Sequence, residues 1–189
     1  MSTEEPLASS PARLAELFQL HREGLAGAVR GVIGVDRDPR EVLQDAFLRA
    51  WRALRRGTVP RDPVGWVFVV TLNQAKDLRR RGARERPSTP LHEVPDMQLR
   101  DHDPAPPARL EADEALEHAR TAITRLTDDE REVFLLRTSA ELSFEATAAA
   151  LSIPVGTAKT RMRAALAKLR RELAAFGPRD GSHAEEPQP

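Results

Sequence analysis

Residues 143–171 read SFEATAAALSIPVGTAKTRMRAALAKLRR, and this stretch decides the fold. Its spacing predicts two helices joined by a sharp turn. Ser143 can cap a short first helix, Phe144 to Leu151, because its hydroxyl can accept a hydrogen bond from a free first-turn amide. Ser152-Ile153 breaks the pattern. Pro154 suits the first turn of a second helix, where its missing N–H costs nothing. That helix runs to about Leu173, with Met162, Leu166, Leu169 and Leu173 forming an apolar stripe. Between Val155 and Arg171 stand six bases and no acid. A basic helix presented by a shorter one is how a helix-turn-helix enters the major groove. A merely solvated basic face would explain the charge but not the turn and the cap beside it.

The charge distribution extends this reading to the rest of the chain. The 189 residues carry no net charge, which taken alone argues against a nucleic-acid binder. Yet residues 11–86 hold 16 bases against 9 acids, and residues 146–176 hold 6 against 1. Between them, residues 111–145 hold 4 bases against 10 acids. Two basic segments divided by an acidic one suit two DNA contacts on one chain. The chain has no cysteine, so no disulfide or thiolate metal site is expected. It has no apolar run long enough for a membrane span, and its first residues, MSTEEPLASSPARL, lack the pattern of a signal peptide. A cytoplasmic location is expected, with no cofactor.

Residues 1–11 read as a disordered leader. One amphipathic helix should follow, with Leu14, Phe18, His21, Leu25 and Val32 on one side and Gly31 and Gly34 at its end. Asp38-Pro39-Arg40-Glu41 is a start signal: Asp38 caps, Pro39 takes the first helical position, and Glu41 completes a capping box. Leu43, Phe47, Ala50 and Leu54 mark that helix's apolar stripe, and Arg55–Arg61 a loop. Asp62-Pro63 repeats the signal. The run GWVFVVTL could be a buried strand, but its capped start and the unbroken NQAKDLRRR after it favour a helix to about Gly82. Trp66 and Phe68 head this basic helix, either as core residues or as platforms for unpaired bases. Residues 87–110 contain six prolines and no periodicity, as a linker would. Stretched out, it could reach roughly 80 Å. Leu116, Ala119, Ile123 and Leu126 mark another helix, and Thr127 to Glu130 a capping box opening the next. The carboxylates of 111–132 are explained by caps and solvation. From Gly177 the chain is polar and reads as a disordered tail.

The expected architecture is all-α: two small helical domains, residues 12–86 and 110–175, joined by a proline-rich linker at 87–109 and followed by a tail at 176–189. In this order the segments resemble a bacterial RNA polymerase sigma factor of the extracytoplasmic-function group. DPREVLQDAFLRAW is similar to region 2.2 and PVGWVFVVTLNQAKDLRRR to regions 2.3 and 2.4. LTDDEREVFLLR with the helix-turn-helix is similar to region 4. The resemblance implies a region 2 helical bundle and a region 4 helix-turn-helix. Its implied partners are core RNA polymerase, through the beta-prime clamp and beta flap, promoter DNA, and an anti-sigma factor. No small-molecule substrate or membrane insertion is implied. Gln44, Asp45, Phe47 and Leu48 would dock on the clamp. Arg61, Trp66, Asn73, Lys76, Arg79 and Arg80 would engage the minus-ten element, and Phe68 would belong to the core. Thr157, Lys159, Thr160, Arg161 and Arg163 would read the minus-thirty-five element. The chain departs from the family pattern at Thr147, Ser152 and Ala158, where Ile, Gly and Val are common, so region 4 is expected to be marginally stable alone. Two other functions stay open: a stand-alone helix-turn-helix regulator, and a decoy that titrates an anti-sigma factor. Charge reversal at Asp45 separates the first of these from a polymerase subunit. An enzyme fits least, since no phosphate-binding glycine loop, metal spacing or activated nucleophile is present.

Overall fold

The computed structural model describes residues 11–34, 37–85 and 107–174. Over these residues the chain is helical, as expected. The leader, nearly all of the linker and the tail lie outside them. The elements are α1 (Pro11–Leu20), α2 (Arg22–Ile33), α3 (Pro39–Arg55), α4 (Pro63–Glu85), α5 (Pro107–Thr124), α6 (Asp128–Thr138), α7 (Phe144–Leu151) and α8 (Val155–Ala174). α5 starts three residues before the expected domain boundary at 110.

The first expected helix is two. The chain turns at His21, whose φ of −101° and ψ of 15° leave the helical range. The His21 ring meets Phe68 edge-on at 6.0 Å, so the break before α2 sits against the N-terminal third of α4. α3 begins where Asp38 accepts a hydrogen bond from the Arg40 amide at 2.9 Å; Asp38 caps it without the expected return from Glu41. Its buried stripe is Val42, Ala46, Ala50 and Leu54: Ala50 and Leu54 are as expected, while Val42 and Ala46 stand one position before the expected Leu43 and Phe47. Leu43 and Phe47 are half-buried instead, because α1 covers that flank: Phe18 and Phe47 meet edge-on at 5.4 Å. The ambiguous GWVFVVTL run is helical. Asp62 accepts from the Gly65 amide at 3.1 Å, and α4 continues past Gly82 to Glu85. Phe68 is fully buried, and Trp66 is half-buried against the same core.

In the C-terminal half, Thr127 and Glu130 form the expected capping box of α6. The turn before it is held by Arg131, a buried guanidinium. It donates to the carbonyls of Ile123 (3.0 Å), Thr124 (2.5 Å) and Leu126 (2.5 Å), and pairs with Asp128 at 2.9 Å. Carbonyls at a helix end lack intrahelical partners, and one buried cation satisfies three here. Ser143 caps α7 through the Ala146 amide at 3.0 Å. Ser152 ends α7 at φ 55° and ψ 43°, a left-handed position where glycine is easier. α8 starts at Val155, with Pro154 just ahead of it. Its buried positions are Ala158, Ala165 and Leu169, with Met162 half-buried between them. Leu173, expected on the stripe, is exposed.

The two halves share a core. Leu135, Leu136, Ala140 and Leu142 belong to the same buried cluster as Leu14, Leu25, Val29, Phe68 and Leu72. The C-terminal half has one further cluster of its own: Ala122, Leu126, Ala165 and Leu169.

Candidate nucleic-acid interface

α4 is the first basic surface, and helical geometry divides its candidate residues into two sets. At 3.6 residues per turn, Trp66, Asn73 and Arg80 fall seven apart along one stripe. Trp66 and Asn73 are half-buried and Arg80 is exposed. Arg61, in the loop ahead of the helix, is also exposed. Lys76 and Arg79 lie on the adjoining flank, which faces α6. Lys76 pairs with Glu132, and Arg79 with Asp128. The Lys76 and Glu132 side chains are only 15% and 16% exposed, so this pair is well shielded from solvent. On the opposite flank Asp77 faces α3, where Arg49 donates to Gln74 at 3.0 Å and reaches Asp77 at 3.4 Å. The structure therefore does not bring the six expected residues together as one free surface.

The second basic surface is α8. The turn of the helix-turn-helix holds it against α6 and α7, with Thr147 and Ala158 fully buried between them. Lys159, Thr160 and Arg163 are exposed, with Arg163 four residues after Lys159 and three after Thr160, and Arg170 and Arg171 continue the exposed bases toward the end of the helix. The Thr160 hydroxyl donates to the Gly156 carbonyl at 3.0 Å, which fixes its rotamer. Thr157 is half-buried. Arg161 turns back to pair with Asp129. The Lys159 ammonium lies 5.9 Å from the Phe144 ring, and Arg137 lies over the same ring at 4.5 Å. Lys159 lies in the second turn of α8 and Arg163 one turn further on, so two exposed cations follow the start of this helix.

The carboxylates between these surfaces are not simply solvated, contrary to the sequence expectation. Burial would raise the pKa of Asp128, but its hydrogen bond and charge contact with Arg79, and those with Arg131, hold it below the ordinary value. Glu130 behaves alike: burial is outweighed by Lys168, at 2.7 Å, and by the Thr127 cap. The Arg131 guanidinium is lowered by burial and by the nearby Arg79 charge, against the pull of Asp128. Sequence reasoning missed these partners. The signal was present in the charge row, because acids at 128, 129, 130 and 132 open the helix that lies between two basic ones.

The expected docking residues sit on α3. Gln44, Asp45 and Leu48 are exposed and Phe47 is half-buried. Gln44 and Phe47 line a groove of about 280 Å³ between α1 and α3, with Phe18, Leu25 and Leu43 in its wall. This face is remote from the ion pairs to α6 and stays open.

No group of three or more potential metal ligands occurs among the described residues. No helix among them is long and apolar enough to cross a membrane.

Two family models match the chain. Residues 17–85 match the family Sigma-70 region 2, and residues 122–171 match Sigma-70, region 4. The chain is 31% identical over 160 residues to the RNA polymerase sigma factor CnrH of Cupriavidus metallidurans, covering 82% of this chain and 83% of that one. It is 28% identical over 173 residues to the sigma factor NccH of Alcaligenes xylosoxydans xylosoxydans, covering 89% and 93%. Among solved structures, CnrH in complex with the cytosolic domain of CnrY superposes with a TM-score of 0.62 at 27% identity, over 88% of this chain and 91% of that one. The Bartonella quintana sigma factor RpoE, solved with the anti-sigma factor NepR, shares the fold at a TM-score of 0.60 and 21% identity, over 87% and 98%.

Proposed function

The chain belongs to the RNA polymerase sigma factors of the extracytoplasmic-function group, and from that premise we propose how its surfaces divide the work of initiation. It binds core polymerase, carries it to a promoter and helps open the duplex, by binding alone and without chemical turnover. Region 2 spans residues 12–86 and region 4 residues 110–175, with the proline-rich segment 87–109 as the tether between them.

The open α1–α3 face carries the polymerase contact. Gln44, Asp45 and Leu48 offer polar and apolar groups to the beta-prime clamp, and Phe47 supplies a half-buried apolar anchor beside its groove. The Arg61 loop and the α4 stripe of Trp66, Asn73 and Arg80 meet the minus-ten element, with Lys76 and Arg79 extending the cationic track. Unstacking a base costs a few kcal/mol, and a stacking surface beside backbone-binding bases offsets that cost. On α8, Lys159, Thr160 and Arg163 face the minus-thirty-five element, with Thr157 and Arg161 at the edge of the contact, while region 4 also meets the beta flap. The observation that carries this reading is the order of matched segments, region 2 then region 4, each ending in an outward basic face.

The cytoplasm is the compartment where these partners meet. CnrH was solved with the cytosolic domain of CnrY, and we extend that kind of control to this chain: an anti-sigma factor holds it inactive.

Run-off transcription tests the reading. Purified core polymerase with genomic fragments, including the protein's own upstream region, should give defined new start sites only when the protein is added. Asp45→Lys should abolish them. Core binding without any initiation would point to a decoy, and absence of core binding would sink the assignment.

A further inference from the structure

We propose that Arg49 of α3 is a positioning residue for promoter reading: it turns the Gln74 amide so that α4 offers a base edge a donor and no acceptor. The base that fits presents acceptors alone, guanine or thymine, beside the one met by Asn73. This rests on the sigma factor reading and deepens it at the α4 contact.

A guanidinium has five N–H donors and no acceptor. Arg49 Nη1 lies 3.0 Å from Gln74 Oε1 and 3.4 Å from Asp77 Oδ2. The part of the amide that faces Arg49 must therefore be its carbonyl oxygen, and the NH2 group points the other way. Gln74 is half-buried. Among the described residues its side chain makes this one hydrogen bond, and its amide nitrogen is not one of the buried polar atoms left without a partner. The NH2 group is thus unpaired within the protein and accessible from outside.

Helical spacing puts that group beside the reading stripe. Gln74 follows Asn73, and Asp77 stands four residues after Asn73 and three before Arg80. A bare carboxylate at this place would repel phosphates, and the Arg49 charge offsets it. The Arg49 and Asp77 side chains are 55% and 37% exposed, so the seam between α3 and α4 lies at the surface, where a duplex can approach it.

The state of the amide decides what it can read. A glutamine free at both ends pairs with adenine, accepting from N6 and donating to N7. With its oxygen engaged it can only donate. Guanine offers O6 and N7 to such a donor, and thymine offers O4. Cytosine presents its N4 amine, which a donor cannot satisfy. α3 thus serves both partners: Gln44, Asp45 and Leu48 meet the polymerase, and Arg49 tunes how the neighbouring helix reads DNA.

Selection with the holoenzyme tests this. Core polymerase is combined with the full chain, the minus-ten element of the promoter found by run-off transcription is randomised, and barcoded transcripts are counted. The native chain should favour guanine or thymine at one position. Gln74→Glu keeps one oxygen for Arg49 and exposes a second, so the preference at that position should move to cytosine by about tenfold. Arg49→Met frees the Gln74 oxygen, so adenine should rise several-fold at the same position while the others stay unchanged. A merely structural Arg49 would instead lower initiation at every sequence alike. A uniform loss or an unchanged profile with Gln74→Glu overturns base reading by Gln74. A shift with Gln74→Glu but none with Arg49→Met overturns the role of Arg49. A native chain that initiates at no promoter with core polymerase overturns the sigma factor reading itself.

Discussion

Region 2 and region 4 solve the same problem, a small helical domain, with unequal means. Region 2 buries Phe68, Leu14, Leu25, Leu72, Val29 and Val67 around one centre. Among the described residues, the cluster that region 4 has to itself is Ala122, Leu126, Ala165 and Leu169, and Val133, Ala148 and Ala158 are buried there as well. Its larger apolar residues, Leu135, Leu136 and Leu142, face the other domain. At about 25 cal/mol per Å² of apolar surface, a cluster half made of alanine contributes little. The difference teaches that region 4 draws its largest buried side chains into a core it shares with region 2. Small buried residues also keep α8 close to α6, as Ala158 and Ala165 do, so the weakness comes with close helix packing.

Leu136→Ala should break this comparison most severely. Leu136 is fully buried in the shared cluster, and such truncations cost about 2–5 kcal/mol. Both tryptophans, Trp51 and Trp66, lie in region 2, so their fluorescence reports that domain. If the halves unfold as one unit, a change on α6 should lower the urea midpoint of the tryptophan signal. An unshifted tryptophan transition beside a shifted helical circular dichroism would show two independent domains.

Acid should sharpen the comparison next. Asp128 and Glu130 both have folded-state pKa values below the ordinary range, so the unfolded chain takes up their protons first as pH falls. Their contribution is complete above the ordinary carboxylate range and disappears as pH drops through their lower folded values. Urea midpoints should therefore fall with acid below that range. The variant Asp128→Asn with Glu130→Gln should show a shallower fall. An equal slope in both proteins would remove these two groups from the account.

The fold was largely legible because helix ends are written in local chemistry. Asp38-Pro39, Asp62-Pro63, Thr127 to Glu130 and Ser143 all cap where expected, since a cap needs only residues within one turn. The exposed face of α8 was equally plain. What could not be read was whatever depends on the partner of a face. The α3 and α8 stripes hold at Ala50, Leu54 and Leu169 but depart elsewhere, because α1 covers one and α6 approaches the other closely enough to bury alanines. The break at His21 depends on Phe68, 47 residues away. Lys76 and Arg79 read as free cations because Glu132 and Asp128 come to them only through the docking of two domains. The glycine row of α2 was visible as spacing, but helix periodicity treats Gly24 and Gly27 as weak positions and gives no account of what approaches them.

Two departures in region 4 bear on the comparison with smaller effects. Thr147 is fully buried between α7 and α8, and its hydroxyl has no hydrogen-bond partner. An unpaired buried hydroxyl costs about 1–3 kcal/mol, and valine has nearly the same shape. Thr147→Val should therefore stabilise region 4 by about 1 kcal/mol, read as a higher denaturation midpoint. No gain would mean that the hydroxyl is satisfied in solution.

Ser152 ends α7 in the left-handed region, which costs a residue bearing a Cβ about 1–2 kcal/mol. Glycine would relieve that strain, but its greater freedom in the unfolded chain returns about 0.5–1 kcal/mol. Ser152→Gly should thus raise stability by only about 0.5 kcal/mol. The gain should be read as a small rise in the urea midpoint of the helical circular dichroism. An unchanged midpoint would mean that the left-handed turn stores no strain that glycine relieves. A loss would mean that the Ser152 side chain holds the turn between α7 and α8 by more than its backbone angles.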